Sequence, residues 1–154
     1  MASPKVLVIG SGCREHALLG ALAMSPQKPQ CYCLASALNP ACVRVCESSG
    51  GGLTVGKITD PAAAVAYAKE TGATLCVIGP EAPLEAGVAD ALLAAGVGCV
   101  GPTKDHAQLE SSKDFTRQLE EKHKVPGVCR YKAFTKPEGL LEYMRDELEV
   151  RRHF

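Results

Sequence analysis

Short β-branched runs ending on glycine alternate with Ala- and Leu-rich stretches over the first two-thirds of the chain. Val6-Leu-Val-Ile9, closed by Gly10, has the profile of a strand buried on both faces. Glu15 to Met24 predicts a helix with Leu18, Leu19 and Leu22 facing inward, stopped by Pro26 and Pro29. Cys31 to Ala35 reads as a second strand. Ser36 to Gly52 is rich in Ser, Asn, Pro and Gly and reads as a loop, interrupted by a short element at Val43-Arg-Val45. A new unit opens at Thr59-Asp60-Pro61, where Thr59 or Asp60 caps and Pro61 fits the first helical turn. Ala62 to Thr71 continues that helix, and Gly72 ends it. Thr74 to Ile78 is a further strand, finishing at Gly79-Pro80. Leu84 to Ala95 predicts one helix closed by Gly96, and Gly98-Cys-Val100 a brief strand before Gly101-Pro102.

Strands that alternate with helices predict an α/β fold, an open parallel sheet with helices on both faces. Beyond Thr103 the texture changes. Asp105 to Lys124 predicts a charged helix whose apolar positions, Leu109, Phe115 and Leu119, are sparse. Val125-Pro126-Gly127 breaks it, Val128 to Phe134 reads as a strand, and Pro137 to Val150 as a final helix. The expected organisation is therefore an α/β domain over residues 1–104, then a linker helix and the start of another domain over residues 105–154. With Leu140 and Leu141, the sparse apolar residues of that second part need a core from elsewhere.

Composition narrows the classes. Seventeen basic and 17 acidic side chains leave no formal net charge, so no global field draws in nucleic acid or an anionic membrane. Aromatic residues are 5% of the chain and Trp is absent, which argues against base-stacking platforms. The apolar runs fall well short of the roughly 20 residues that span a bilayer. No C-x-x-C occurs among the eight cysteines, and no Cys/His spacing suggests zinc. Cys31, Cys33, Cys76 and Cys99 lie inside apolar runs, where free thiols pack as small hydrophobes. Reduced thiols and the lack of a signal-like start point to the cytoplasm.

In an open parallel sheet, ligands bind beyond the carboxyl ends of the strands. Gly10-Ser-Gly-Cys-Arg14-Glu15, Gly79-Pro-Glu81-Ala-Pro83 and Gly101-Pro-Thr-Lys104 all fall at such ends. The first reads as a phosphate cradle, with Gly10 and Gly12 baring backbone N–H groups ahead of a helix and Arg14 adding charge. A tight turn without a ligand is the alternative. A dinucleotide loop of the G-x-G-x-x-G type would need glycine where Glu15 stands, and a carboxylate there repels a pyrophosphate. Glu81 sits in a loop stiffened by two prolines; it either holds an amine or a ribose hydroxyl or only caps the next helix. Lys113 follows Ser111-Ser112, which offers a cap and a turn near a nucleotide; a solvated lysine is the competing reading.

Taken in order, residues 6–18 (Val-Leu-Val-Ile-Gly-Ser-Gly-Cys-Arg-Glu-His-Ala-Leu), 77–84 (Val-Ile-Gly-Pro-Glu-Ala-Pro-Leu) and 101–104 (Gly-Pro-Thr-Lys) carry a resemblance. So do residues 107–113 (Ala-Gln-Leu-Glu-Ser-Ser-Lys), Lys124-Val-Pro126 and Ala133-Phe-Thr135. The set resembles phosphoribosylamine–glycine ligase, or glycinamide ribonucleotide synthetase, from about Lys5 to about Met144. The resemblance implies a Rossmann-like pre-ATP-grasp domain followed by the start of an ATP-grasp domain. It implies ATP with Mg or Mn, and phosphorylation of the glycine carboxylate. The amine of phosphoribosylamine then attacks the glycyl phosphate.

By this likeness Gly10, Gly12, Arg14, Glu15 and Glu81 face phosphoribosylamine, and Lys113 lies at the entrance to the ATP site. It assigns no metal ligand to this chain, which alone would be inactive. Two departures stand out: Cys13 where the family usually has a second glycine, and Ser36-Ala-Leu-Asn39-Pro-Ala41 for its Pro-Gly-Asn-Ala-Gly-Thr loop. The likeness fades into a polar ending at Arg145 to Phe154. A non-catalytic interaction module derived from that enzyme is the alternative reading.

Overall fold

The computed structural model describes residues 3–147, which fall into two compact units divided between Ser111 and Ser112. The first holds a five-stranded sheet in the order β3-β2-β1-β4-β5, every neighbouring pair parallel. Its strands are β1 (Lys5–Ile9), β2 (Gln30–Ala35), β3 (Gly52–Val55), β4 (Leu75–Ile78) and β5 (Gly98–Val100). The helices are α1 (Cys13–Ala23), α2 (Pro40–Ser48), α3 (Pro61–Thr71), α4 (Glu81–Glu85), α5 (Val88–Ala94) and α6 (Lys104–Ser111).

The central strands β1, β2 and β4 are largely apolar because most of both their faces is covered. Leu7, Ile9, Leu34, Cys76 and Ile78 point into one core with Ala64 and Ala68 of α3 and Val88 and Leu92 of α5. The alternate residues Val8, Cys31, Cys33 and Ala35 face the opposite core with Leu19 of α1 and Cys42 and Cys46 of α2. Period-two alternation thus feeds two cores from one set of strands. Ala107 of α6 is buried in the first of these cores, so the compact unit runs on past Lys104, where the sequence placed a boundary. No helix among the described residues is long and apolar enough to cross a membrane.

Four features differ from the sequence reading. Residues 36–52 are not a loop: they contain α2 and lead into β3. Asn39 caps α2, its side chain accepting the Ala41 N–H at 3.0 Å, and Pro40 opens the first turn. Cys42 and Cys46, four apart, form its buried stripe. The single helix expected over Leu84 to Ala95 is two, because Gly87 takes a left-handed conformation (φ 81°) between α4 and α5. The charged helix after Thr103 is also two. Ser112 adopts extended backbone and caps α7 (Lys113–Lys122), so the helix restarts there.

The fourth difference lies in the second unit. Val128 to Phe134 is not a strand: it forms no ladder, and side chains hold it instead. Arg130 donates to the Glu147 carbonyl at 2.8 Å and the Tyr131 hydroxyl to Glu121 at 3.3 Å. The final helix is α8 (Leu140–Asp146). The rest of the expected helix, and the polar ending from residue 148, lie outside the described residues.

Candidate functional site

The sheet order reverses at β1: the chain moves outward to β2 and β3, then returns to the other side for β4 and β5. The loops leaving β1 and β4 therefore part at a topological switch point, the place where open α/β sheets bind ligands. The sheet's hydrogen bonding runs one residue beyond the strands, with Gly10 N–H on the Leu34 carbonyl at 2.9 Å and Gly79 N–H on that of Ile9 at 3.1 Å. Both glycines are thus fixed at the lip of the crevice.

Glu15 organises this lip. Its residue is only 4% exposed although it lies in the first turn of α1. The carboxylate accepts the N–H of Gly12, the residue that caps the helix. A Cβ built on Gly79 would lie 2.0 Å from Glu15 Oε1, one on Gly10 2.6 Å from its carboxyl carbon, and one on Gly12 3.1 Å from Oε2. The glycines leave the space that this side chain fills. Gly10 also has φ 123°, a conformation that side-chain-bearing residues rarely adopt. Arg14 adds a brace across the crevice, its guanidinium donating to the Gly79 carbonyl.

Further ties hold the loop from below and from the side. The Cys33 thiol donates to the Gly10 carbonyl at 3.2 Å. Burial first, then the neighbouring Cys46, Cys42 and Glu15, push the Cys33 pKa up and keep that thiol protonated. Ser11 and Ser36 hydroxyls lie 2.9 Å apart, and Asn39 Nδ2 donates to the Ser11 carbonyl at 2.9 Å. Asn39 therefore caps α2 and ties the loop after β2 to the loop after β1. Ser36 and Asn39 were absent from the sequence-derived site. The Asn39-Pro40 pair ahead of Cys42 and Cys46 is the helix signal that would have placed them.

The structure brings Gly10, Gly12, Arg14 and Glu15 together with Gly79. Glu81 follows within two residues, exposed in the first turn of α4. At the end of β5, Lys104 starts α6 with its backbone N–H on Asp90 at 2.8 Å. Thr103 Oγ1 and His106 Nδ1 are 2.8 Å apart beside it. Lys113 is exposed at the start of α7, in the second unit, behind the Ser112 cap. Among the described residues no group of three or more His, Cys, Asp or Glu side chains is placed to hold a metal ion. The described residues thus offer no ligand set for the Mg or Mn that the resemblance implies.

The sequence profile of the phosphoribosylglycinamide synthetase N domain matches residues 4–110, the span of the sheet, its helices and the crevice. The chain belongs to this family. The chain is 42% identical over 142 residues to phosphoribosylamine–glycine ligase of Methanothermobacter thermautotrophicus, covering 92% of this chain and 31% of that protein. It is 42% identical over 140 residues to the trifunctional purine biosynthetic protein adenosine-3 of Homo sapiens, covering 91% of this chain and 13% of that one. The chain thus spans less than a third of the length of either relative. Among solved structures, the biotin carboxylase domain of a single-chain bacterial carboxylase superposes with a TM-score of 0.66 at 23% identity, over 94% of this chain and 34% of that one. This likeness concerns the fold alone.

Proposed function

We propose that the chain supplies the amino-terminal, substrate-facing part of an ATP-dependent ligase that joins glycine to 5-phosphoribosylamine in purine synthesis. The observation that carries this reading is the family match over residues 4–110 coinciding with a braced crevice at the sheet's switch point. In the proposed reaction a glycine carboxylate oxygen takes the terminal phosphoryl group of ATP, and ADP leaves. The amine nitrogen of phosphoribosylamine then attacks the glycyl carbonyl, and phosphate leaves.

This part of the chain binds and orients. The loops at Gly10–Glu15 and Gly79–Glu81 hold phosphoribosylamine, with Glu81 accepting from its amine or ribose hydroxyls. Lys113 stands toward ATP at the opening of an ATP-grasp domain that starts after the sheet. Orientation of the amine toward an acyl phosphate is the contribution such loops make to the rate. These 154 residues contain no counterpart of the greater part of the relatives' length, and on this reading they do not turn over substrate alone.

Calorimetric titration with ribose 5-phosphate, a stable stand-in for the labile amine, tests the reading. Saturable binding that disappears in Glu81→Ala is the expected result. A folded chain that takes up no ribose 5-phosphate would remove the substrate-facing role.

A further inference from the structure

We infer that Cys76 and Cys99 form an oxidisable dithiol: a peroxide arriving at Cys99 is reduced there, and the two sulfurs close into a disulfide that joins β5 to β4. Nothing in this chemistry depends on which ligand the crevice takes.

Strand register makes the pair. Cys76 of β4 stands directly opposite Cys99 of β5 in the parallel ladder. Neighbouring strands lie about 4.7–4.9 Å apart, inside the range of about 4.4–6.8 Å between Cα atoms that a disulfide spans. The side chains also agree in direction. Cys76 is enclosed in the core with residues of α3 and α5, and Cys99 packs against that same core. The other strand cysteines have no thiol across the ladder: Cys31 stands opposite Val6, and Cys33 lies between Val8 and Leu53.

The two thiols take different parts. Cys76 is completely buried. Cys99 is half-buried, on a strand that among the described residues pairs on one side only, so a small oxidant reaches it first. A hydrogen bond to Cys99, and then burial, push the Cys76 thiol up. The same bond moves Cys99 down, against burial and the nearby Asp90. Since the thiolate is the nucleophile, Cys99 is the attacking sulfur. It bonds to one peroxide oxygen, the O–O bond breaks, and a sulfenic acid and hydroxide form. The Cys76 sulfur then attacks the Cys99 sulfur, the S–O bond breaks, and the departing oxygen leaves as water with the Cys76 proton. Two thiols lose two electrons, and one peroxide becomes two waters.

Beyond Cys99 the chain passes through Val100 into Gly101-Pro-Thr-Lys104, whose Lys104 N–H is held by Asp90 at 2.8 Å. Before oxidation, β5 is held to β4 by its short ladder, Gly98 to Val100, together with its packing on α5. The disulfide adds a covalent tie at the middle residue of that ladder and lowers the frequency with which the strand opens.

The test oxidises the full reduced chain with hydrogen peroxide, blocks the remaining thiols with iodoacetamide in denaturant and maps the peptides by mass spectrometry. Cys76 and Cys99 should appear linked, the link should open in dithiothreitol, and the β5 amides should exchange about tenfold more slowly in the oxidised chain. In Cys76→Ser, Cys99 should accumulate as a sulfenic acid that dimedone captures; in Cys99→Ser, Cys76 should stay reduced. If a variant fails to fold, the wild-type map and exchange rates decide alone. No link between Cys76 and Cys99, a link between two other cysteines in its place, or a link that leaves β5 exchange unchanged would each overturn the inference. So would a folded Cys99→Ser in which peroxide oxidises Cys76 as fast as in wild type.

Discussion

The two compact units use opposite means of holding a chain in place. In the first, five strands feed two buried cores, and Leu7, Ile9, Leu19 and Leu92 are completely enclosed. In the second, neither α7 nor α8 buries a residue. Its order comes from surface pairs: Arg117 with Glu120 at 2.7 Å, Gln118 with Asp114 at 2.7 Å, and the rings of Phe134 and Tyr143 5.7 Å apart. Lys132 lies over both of those rings. Exposed ion pairs of this kind contribute little, because water and salt screen them. The family match, residues 4–110, stops where the burial stops. The span matched by the family profile is here the part that excludes water.

The largest effect should come from removing matched side chains in the two units. Leu7→Ala leaves a cavity under β1 and should lower the unfolding free energy by about 2–5 kcal/mol. Leu141→Ala, at a position 72% exposed on α8, should fall within about 0.5 kcal/mol of wild type. Urea denaturation followed by circular dichroism measures both. Equal losses would mean that Leu141 is enclosed in solution and that the contrast between the units is false.

Most of the fold was legible because burial leaves a periodic mark. The runs around Val8, Leu34 and Val77 predict the central strands, and Asp60-Pro61 predicts the start of α3. What escaped was α2, whose inward face is made of Cys42 and Cys46 rather than Leu or Ile. Thiols are small and buried like hydrophobes, but in a Ser-, Asn- and Gly-rich setting they give a weak pattern. Gly87 and Ser112 broke two helices through local backbone preference, which a hydrophobic period does not register. Sequence places Gly10, Gly12 and Glu15 side by side, but only the tertiary contact with Gly79 reveals that the glycines enclose the carboxylate.

Those thiols sharpen the contrast through pH. Burial, followed by the nearby Cys31, Cys42 and Glu47, pushes the Cys46 pKa up from 9.0 to about 12. Cys31, Cys33 and Cys42 move in the same direction, burial being the main cause for each. A raised folded-state value means that the unfolded chain loses these protons first. Their contribution to stability is therefore intact below pH 9.0 and is lost as pH climbs toward about 12. Urea midpoints of the first unit should drop between pH 9.0 and about 11, and Cys46→Ala should flatten that drop. A midpoint independent of pH across this window would show that the α1–α2 side of the sheet is open to water.

The smallest and most discriminating test compares two caps of like chemistry. Asp60 accepts the N–H groups of Ala62 and Ala63 at 2.9 and 3.4 Å, and Ser112 accepts that of Phe115 at 3.2 Å. Removing either side chain strands a helix-end donor, at a cost of about 0.5–2 kcal/mol. The difference lies in what each helix is joined to. Ala64 and Ala68 of α3 are buried against the sheet, so fraying α3 opens the core. Asp60→Ala should then lower the cooperative unfolding midpoint by the full cost of the cap. No residue of α7 is buried, so Ser112→Ala should lower helicity at Lys113–Lys122 and leave that midpoint unchanged. Backbone chemical shifts of α7, recorded beside the urea curve, separate the two responses. A midpoint that falls equally in both variants would mean that α7 unfolds together with the sheet.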